Sequence, residues 1–400
     1  MITAHDAPVS GLDPFSEEFL GDPYPAHDQL REAGPVVRLE RYGVWGMARY
    51  EHVHAGLEDW ETYRSGAGVG LADFTKEKPW RQPSLLLEAD PPEHSGARKA
   101  TTGALSPKRI RGLQAAFERE ADALVDRLVK RGRFDAIADL AEPYPVKVFA
   151  DAVGVPDEGR ENLIAYGDMV FNAFGPRNEL FAESAKGLDE VREWIAEMCL
   201  LKNLDRGGLG AAIYEQAASL GLGQDEAGLL VRSLLSAGVD TTVHALGNTI
   251  LCFAAHPDQW AALHADPSRS RAAFEEVLRY ESPVQTFFRT TTREVDVEGV
   301  RIPAGEKVLL FLGAAGRDPR HWEDPERFDI ARKASGHLGF GFGIHACVGR
   351  MVARLEGELL LAALARRLEA IEPDGEPVRK LNNTLRGLAR LPVRVRPVRG

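Results

Sequence analysis

One of the three cysteines in this 400-residue chain follows a segment in which glycines alternate with larger residues. The segment covers residues 340–349 (FGFGIHACVG), and a helix is predicted to begin at Cys347. Glycines let a backbone approach a flat ligand closely, and amides at a helix start stabilise a thiolate. Such a thiolate is a good axial ligand for haem iron. Cys199 and Cys252 lie within predicted helices, where a buried structural role is usual.

The most apolar stretch of the chain carries polar groups that a buried helix does not need. Its pattern predicts one long helix over residues 225–255. Gly238 within that helix is unfavourable by about 1 kcal/mol relative to Ala, and Asp240 and Thr241 add a carboxyl and a hydroxyl to the same stretch. Because these residues make the helix less stable, we expect them to have a function.

Two neighbouring strips of polar residues follow the same predicted helix. Arg232 and Ser236 share one strip with Asp240, and Ser233 shares the next with Thr241, because residues four apart lie on one helix face. Nine residues separate Arg232 from Thr241, which is about 13 Å of helix. This spacing leaves room for a small acid that is held by its carboxylate at one end and oxidised at the other.

A long irregular segment before Asp90 contributes two more polar residues, Arg81 and Ser84. They could close over the Arg232 end of the helix, because a guanidinium with hydroxyl donors suits carboxylate recognition. The alternative is that Arg232 pairs with a structural acid and that Arg81 is solvated. The residues alone leave both interpretations open.

Four motifs, taken in order, resemble those of the cytochrome P-450 superfamily of haem-thiolate monooxygenases. They are residues 237–242 (AGVDTT), 276–279 (EVLR), 324–328 (DPERF) and 340–349, within a similarity that extends from about residue 13 to the C-terminus. The resemblance implies a mainly α fold with small β-sheets and a haem b cofactor whose iron is bound by Cys347. It also implies that Glu276 and Arg279 form a buried ion-pair network with Arg327.

The resemblance implies further roles around the haem. Thr241 would hydrogen-bond the activated dioxygen, and Asp240 would bring protons to it. His94 and Arg98, four residues apart on one predicted helix face, would bind the haem propionates. The other residues implied at the haem are Arg289 and His345 at the propionates, and Phe340, Ala237 and Gly238.

Three segments around the predicted substrate end resemble one bacterial subfamily more closely. Residues 78–84, 230–236 and 282–289 are similar to the subfamily that oxidises para-substituted benzoic acids such as 4-methoxybenzoate. By this likeness the carboxylate would be bound by Arg81, Ser84, Arg232, Ser233 and Ser236. The ring would be enclosed by Leu87, Phe171, Phe174, Val284, Phe287 and Leu385. A flat apolar slot with one polar end would hold the para substituent over the iron.

The elements that must position these residues are mostly helices. Apolar periodicity predicts helices over residues 110–131, 180–200 and 271–280, and another after Cys347. Strands are predicted over residues 36–39 and 44–48, as a hairpin, and over 287–297, 307–311 and 392–398. There is no internal repeat and no linker long enough to separate two domains, so we expect one domain over residues 1–400.

Composition excludes several classes of protein. The chain has 49 Lys and Arg against 60 Asp and Glu, a formal net charge of −11. This balance argues against general binding of nucleic acid or of an anionic membrane. Residues 1–20 lack a basic segment followed by an apolar run, so we expect neither a leader nor an anchor. Three cysteines need no disulfide framework, which favours a cytoplasmic location.

Together these features predict a monooxygenase that uses O2 and two electrons to O-demethylate or hydroxylate a small aromatic acid. No flavin or reductase domain is visible. Basic residues near the Cys347 helix suit docking of an acidic iron–sulfur ferredoxin, itself reduced by an NAD(P)H reductase. They are Lys99, Lys108, Arg109, Arg111, Arg350, Arg354, Arg366 and Arg367. Two alternatives stay open. One is a peroxide-driven hydroxylase of another small or fatty carboxylic acid, against which the Asp240-Thr241 pair weighs. The other is a haem-binding sensor without turnover.

Overall fold

The computed structural model describes residues 7–398, and helices dominate this part of the chain. The helices are α1 (Glu17–Gly21), α2 (Tyr24–Ala33), α3 (Tyr50–Glu58), α4 (Glu93–Ala104), α5 (Pro107–Arg131), α6 (Pro143–Val153), α7 (Asn162–Asn172), α8 (Glu179–Ser184), α9 (Leu188–Met198), α10 (Leu209–Ser219), α11 (Gln224–Ala237), α12 (Asp240–Ala255), α13 (Pro257–Ala265), α14 (Ser270–Tyr280), α15 (Leu312–Ala315) and α16 (Arg350–Arg367). The expected domain spans residues 1–400, but residues 1–6 and 399–400 lie outside the described part of the chain. The expectation of no leader concerns residues 1–20, so it falls partly on residues that are not described.

Short strands form small sheets beside the helices. They are β1 (Val9–Ser10), β2 (Val37–Leu39), β3 (Val44–Met47), β4 (Tyr63–Arg64), β5 (Arg133–Asp135), β6 (Thr286–Thr291), β7 (Val295–Val297), β8 (Val300–Ile302), β9 (Lys307–Phe311), β10 (Leu368–Pro373), β11 (Val378–Leu381), β12 (Arg386–Arg390) and β13 (Pro392–Pro397). The largest sheet has the order β1-β2-β3-β9-β6-β4, and β10-β13-β5, β11-β12 and β7-β8 form the others.

The predicted strands are present, with one difference. The hairpin is confirmed, since β2 and β3 are antiparallel with Val37 opposite Gly46. The strand predicted over 287–297 is two strands, β6 and β7, which belong to different sheets. The reason is that β6 pairs with β9, whereas β7 turns back on β8 through Glu298 and Gly299, both at positive φ.

The prediction of one helix over 225–255 is wrong, because the helix is interrupted at Gly238 and Val239, between α11 and α12. Two hydroxyls bond to the carbonyls at the break: Thr241 Oγ1 donates to Ala237 O at 2.7 Å and Thr242 Oγ1 to Gly238 O at 3.2 Å. Hydroxyls that bond to the preceding turn bend helices. The helix predicted over residues 180–200 is likewise two helices, α8 and α9. The residues between them include Gly187, which has a φ of 67°.

Helix α12 is buried on nearly every side and packs against α7, α14 and α16, while α16 also packs against α5 and α14. A helix surrounded in this way belongs to the core of a large protein. The cavity described below therefore lies beside the best-packed part of the molecule. Within the described residues, no helix is long and apolar enough to cross a membrane.

A buried ion pair on α14 fixes the chain that leads to Cys347. Glu276 and Arg279 are both 0% exposed, and two hydrogen bonds of 2.7 Å join them. The prediction that the Arg327 side chain is the third member of this network is wrong. Arg327 contributes only its carbonyl, which accepts from Arg279 Nη2 at 3.3 Å. Arg332 takes this place, with its Nε 3.2 Å from Glu276 Oε1, because the chain passes the carboxylate at residues 329–332 and not at 327.

Candidate active site

A cavity lies between the break after α11 and the segment before α16. Ala237, Gly238 and Thr241 line it from the helix break, and Cys347 lines it from the other segment. The cavity therefore has a thiol and the interrupted helix in its walls, as the resemblance implied. A side chain at position 238 would overlap the Phe149 ring, which explains the glycine there.

The segment before Cys347 is a tight loop that contains one short 3₁₀ turn, Gly343–His345, and no α-helix. Gly341 and Gly343 have φ of 65° and 67°, a left-handed conformation that favours glycine. The Cys347 amide donates to Phe340 O at 2.7 Å, which closes the loop, and α16 begins three residues later at Arg350. Burial raises the pKa of the Cys347 thiol, while the Gly349 amide and the Arg98 guanidinium act to lower it.

Three of the four predicted propionate ligands, Arg98, Arg289 and His345, line the cavity. The fourth, His94, lies beside His345, with ring centroids 4.5 Å apart and the ring planes tilted by 57°. Arg289 is 2% exposed and donates to the Phe288 carbonyl at 2.9 Å. Burial lowers the pKa of Arg289 to about 10 and that of His94 to about 4. No described carboxylate pairs with Arg289 or Arg98, which leaves two cations for an anionic group.

The two predicted catalytic residues lie in different surroundings. Thr241 faces the cavity, whereas Asp240 is 1% exposed and points away from it, towards Gly167. The break in the helix thus takes Asp240 off the strip that it was predicted to share with Ser236, which does line the cavity. Burial raises the pKa of Asp240 to about 7, and Lys380 opposes this shift.

His244, which the sequence analysis missed, is the nearest partner of Asp240. Its Nε2 lies 3.5 Å from Asp240 Oδ1, and both side chains are at most 2% exposed. Burial lowers the pKa of His244 to about 3. Space for the two side chains comes from Gly167 and Gly387, where any Cβ would overlap them. The i, i+4 spacing of Asp240 and His244 was the available signal.

The structure brings together at the cavity wall the three serines that were predicted for the polar end. Ser84 Oγ and Ser233 Oγ are 2.9 Å apart, and Ser236 Oγ donates to Ser233 O at 3.2 Å. Arg81 also lines the cavity, whereas Arg232 does not. Arg232 Nη2 donates instead to the Gln82 carbonyl at 2.6 Å, so this arginine fastens the segment that carries Arg81 and Ser84.

The alternative to carboxylate binding, in which Arg81 is solvated and Arg232 pairs with a structural acid, does not describe either arginine. Arg81 pairs with Glu88 at 3.0 Å. Arg232 has no acidic partner among the described residues. Glu88 was missed by the sequence analysis, although its position four residues after Ser84 was a usable signal.

The apolar end is built by aromatic rings in edge-to-face contact. The Phe174 ring lies 5.7 Å from that of Phe171 and 5.8 Å from that of Phe287, at interplanar angles of 89° and 62°. These three residues line the cavity together with Leu87 and Val284. Leu385 is not in the lining: it is buried behind Val284, with which it forms a β-bridge. Leu385 was predicted to contact the substrate ring, but in the structure it contacts Val284, which lines the cavity.

These features fit a haem group. Cys347 supplies a thiol in the cavity wall, the loop before it has no bulky side chain at 341 and 343, and cations without acidic partners face the cavity. Among the described residues, the buried Nε2 atoms of His94 and His345 have no hydrogen-bond partner, although His345 Nε2 lies 3.7 Å from Asp90 Oδ1. A buried polar atom is costly unless it is satisfied. Propionates at this edge would satisfy them.

A mainly helical fold with a thiol loop facing an interrupted helix defines the class of haem-thiolate enzymes. The comparisons agree. A family model for cytochrome P450 matches residues 270–397. Cytochrome p450 CYP199A2 of Rhodopseudomonas palustris is 55% identical over 391 residues, covering 98% of this chain and 95% of that protein.

More distant relatives show the same relationship. Cytochrome P450 107B1 of Saccharopolyspora erythraea is 35% identical, covering 96% of this chain and 98% of that protein. The solved structure of cytochrome P450 CREJ in complex with (4-ethylphenyl) dihydrogen phosphate has a TM-score of 0.86 at 27% identity, covering 96% of this chain and 99% of that one. The chain belongs to the cytochrome P450 family. It is a monooxygenase whose cofactor is haem, held in this family by a cysteine thiolate, and it draws electrons from a redox partner.

Proposed function

We propose that this P450 O-demethylates or hydroxylates para-substituted benzoic acids, with 4-methoxybenzoate as the first substrate to test. The observation that carries the proposal is one cavity with two unlike ends. Hydroxyls and a guanidinium, from Ser84, Ser233, Ser236 and Arg81, form one part of the lining, and contacting phenyl rings form another. An aromatic acid has the same polarity along its length.

The residues around the cavity account for orientation of the substrate. Donors at the polar end bind the carboxylate, and the rings of Phe171, Phe174 and Phe287 leave a slot for a flat ring. Holding a substrate in a reactive geometry contributes several kcal/mol to catalysis. The ligand of the CREJ structure is a para-substituted phenyl compound with an anionic group, which supports the same substrate shape here.

The cofactor would be held by Cys347, with Arg98, Arg289, His94 and His345 at its propionates and Phe340, Ala237 and Gly238 beside the ring. When bound, haem supplies activation of O2 for insertion of one oxygen atom. Asp240, whose pKa near 7 keeps a proton available at neutral pH, stores that proton on its carboxyl. Thr241, beside it, accepts and donates protons at its hydroxyl, which bonds to Ala237 O.

We propose a ferredoxin with its NAD(P)H reductase as the electron donor. Several basic residues predicted for the docking surface are in ion pairs: Arg354 with Glu275, Arg366 and Arg367 with Asp122, and Arg109 with Glu215. Four others are exposed and unpaired among the described residues: Lys99, Lys108, Arg111 and Arg350. These four, called the proximal cations below, suit an acidic partner. The cytoplasmic location and the single domain over 1–400 stay predictions.

Turnover with separated electron sources tests the proposal. Haem-loaded protein with ferredoxin, reductase, NADH and 4-methoxybenzoate is expected to give 4-hydroxybenzoate and formaldehyde in equal amounts, because one O2, two electrons and two protons yield these products and water. Product with hydrogen peroxide alone, and none with the reductase system, would favour the peroxide-driven hydroxylase. A substrate-induced spectral change without product from either system would favour a sensor.

A pair of variants in one loop tests the polar end. Arg81→Met is expected to raise KM for 4-methoxybenzoate about tenfold with a much smaller change in kcat, since losing a charged hydrogen bond costs about 1.5–3 kcal/mol. Lys78→Met is the matched control, because it removes the same charge from the same loop at a residue that is exposed. Equal KM values for the two variants would contradict a role of Arg81 in binding.

A further inference from the structure

A carboxylate stands at the end of the cavity that is proposed to bind a carboxylate. Glu88 Oε2 lies 3.0 Å from Arg81 Nη1 in an ion pair and accepts from the Ser84 amide at 2.7 Å, and the Glu88 amide donates to Ser84 O at 2.9 Å. The Arg81 and Glu88 side chains are 9% and 3% exposed. The pair is thus a fixed part of the turn over residues 81–88 and not a surface contact.

The charges at this end do not cancel. Arg232 is half-buried, its Nη2 bonds to the Gln82 carbonyl at 2.6 Å, and no described acid pairs with it. Burial raises the pKa of Tyr166 and raises that of Cys199 to about 12, so both neighbours are neutral at neutral pH. Two guanidinium groups and one carboxylate leave a net charge of +1.

We infer that Glu88 determines which anions the polar end accepts, by restricting it to a single negative charge. A carboxylate brings the end to neutrality, whereas a doubly charged phosphate ester leaves one buried negative charge without a partner. Uncompensated buried charge is strongly unfavourable, and an unpaired charge against the wrong ligand is a common means of specificity. The inference rests on the proposed function, in which this end binds the anionic group of the substrate.

The wild-type protein provides the first test. The probes are 4-methoxybenzoate and 4-methoxyphenyl phosphate, titrated calorimetrically into the haem-loaded ferric protein between pH 5 and pH 8. The second ionisation of a phosphate ester has a pKa of about 6, so this probe changes from one negative charge to two within the series. We expect its affinity to fall tenfold or more as the pH rises. The carboxylate probe, singly charged throughout, reports any effect of protein groups such as Asp240 that titrate in the same range.

Removal of the Glu88 charge provides the second test. Glu88→Gln keeps an oxygen that can accept from the Ser84 amide, so the turn retains this hydrogen bond. At pH 8 we expect the affinity for the phosphate relative to that for the carboxylate to rise about tenfold. Glu77→Gln is the matched control, because Glu77 is exposed in the same segment and loses the same charge. Its ratio is expected to equal that of the wild type.

The outcomes separate this inference from the proposed function. If 4-methoxybenzoate binds but the phosphate affinity of the wild type is flat with pH, or if both variants give the same ratio, the role of Glu88 is overturned and the proposed substrate class stands. If neither probe binds, both are overturned. Should Glu88→Gln fail to fold, the wild-type pH series still decides.

Discussion

Asp240 differs from an ordinary carboxylate because nothing in its surroundings replaces water. Its two oxygens have no hydrogen-bond partner among the described residues, and the His244 Nε2 lies 3.5 Å from Oδ1. Burial is the main cause of its raised pKa. An acid that is half protonated near neutral pH is well matched to proton delivery, and this property comes from packing against α7 and β12 and not from the AGVDTT motif itself.

The first prediction concerns stability against pH. The pKa of Asp240 is about 7 in the folded protein, against an ordinary value of 3.8 for an aspartate side chain. Between these values the folded state binds the proton and the unfolded state does not. Its contribution is therefore fully present below pH 3.8 and is lost as the pH rises through 7. Relative to Asp240→Asn, the wild type should lose on the order of 2 kcal/mol of unfolding free energy between pH 5 and pH 8, measured by urea denaturation. Parallel curves for the two proteins would contradict a raised pKa.

The second prediction is that replacing Arg289 stabilises the haem-free protein but weakens haem retention in the haem-loaded protein. Its guanidinium is buried without an acidic partner, so Arg289→Met should stabilise the haem-free protein by about 1 kcal/mol or more. The same change should accelerate haem loss about tenfold, measured by transfer to apomyoglobin, because a propionate loses its cation. The control is Arg293→Met, whose side chain is 64% exposed. Slower or unchanged haem loss would show that Arg289 does not bind the cofactor.

At the scale of elements, the break between α11 and α12 is the feature on which the site depends. It exposes Ala237, Gly238 and Thr241 to the cavity while Asp240 turns into the core. Continuous helix would instead place Asp240 on the strip of Ser236. The third prediction follows from the packing at this break.

Gly238→Ala should destabilise the protein by about 1–3 kcal/mol, the usual cost of overpacking, because the new methyl group overlaps the Phe149 ring. Gly112→Ala is the control. It lies within α5, where a Cβ meets nothing within 4 Å, and replacing an exposed helical glycine should add up to about 1 kcal/mol. Thermal unfolding measures both changes. Two shifts of the same sign would contradict the account of the break.

The sequence predicted what depends on local spacing. The thiol loop, the Glu276–Arg279 pair and strand β9 are encoded by neighbouring residues, and they were found. What it did not predict depends on distant contacts. Whether Arg327 or Arg332 reaches Glu276 is decided by the path of the chain 50 residues later, and Leu385 lies behind Val284 because of a bridge between them. Glu88 and His244 are exceptions, because each has a partner four residues away, Ser84 and Asp240, and that spacing was already present in the sequence.

At the scale of the molecule, charge is distributed unevenly. The chain has a formal net charge of −11, yet the proximal cations lie on α4, α5 and the start of α16, and α16 packs against α5. Arg350 is close enough to Arg98 to lower the pKa of that guanidinium. A local positive surface on an acidic protein suits steering of an acidic partner.

The fourth prediction is that Lys99→Glu combined with Arg111→Glu slows reduction by ferredoxin at least tenfold at low salt, with a smaller effect at high salt because exposed charges are screened. Stopped-flow absorbance of the haem measures the rate. Reduction by dithionite, which needs no docking, should be unchanged in the same variant. Equal slowing by both reductants would point to a damaged haem site instead of a docking surface.

The central claim is that an aromatic carboxylate enters this cavity with its charged end away from Cys347. The most direct measurement is titration of the ferric haem-loaded protein with 4-methoxybenzoate and, in parallel, with its uncharged methyl ester, while the haem absorption band is followed. We predict that the acid causes a saturable low-spin to high-spin shift. We also predict that the ester binds with an affinity at least tenfold lower than that of the acid. Equal binding of acid and ester, or no shift with the acid, would contradict the claim.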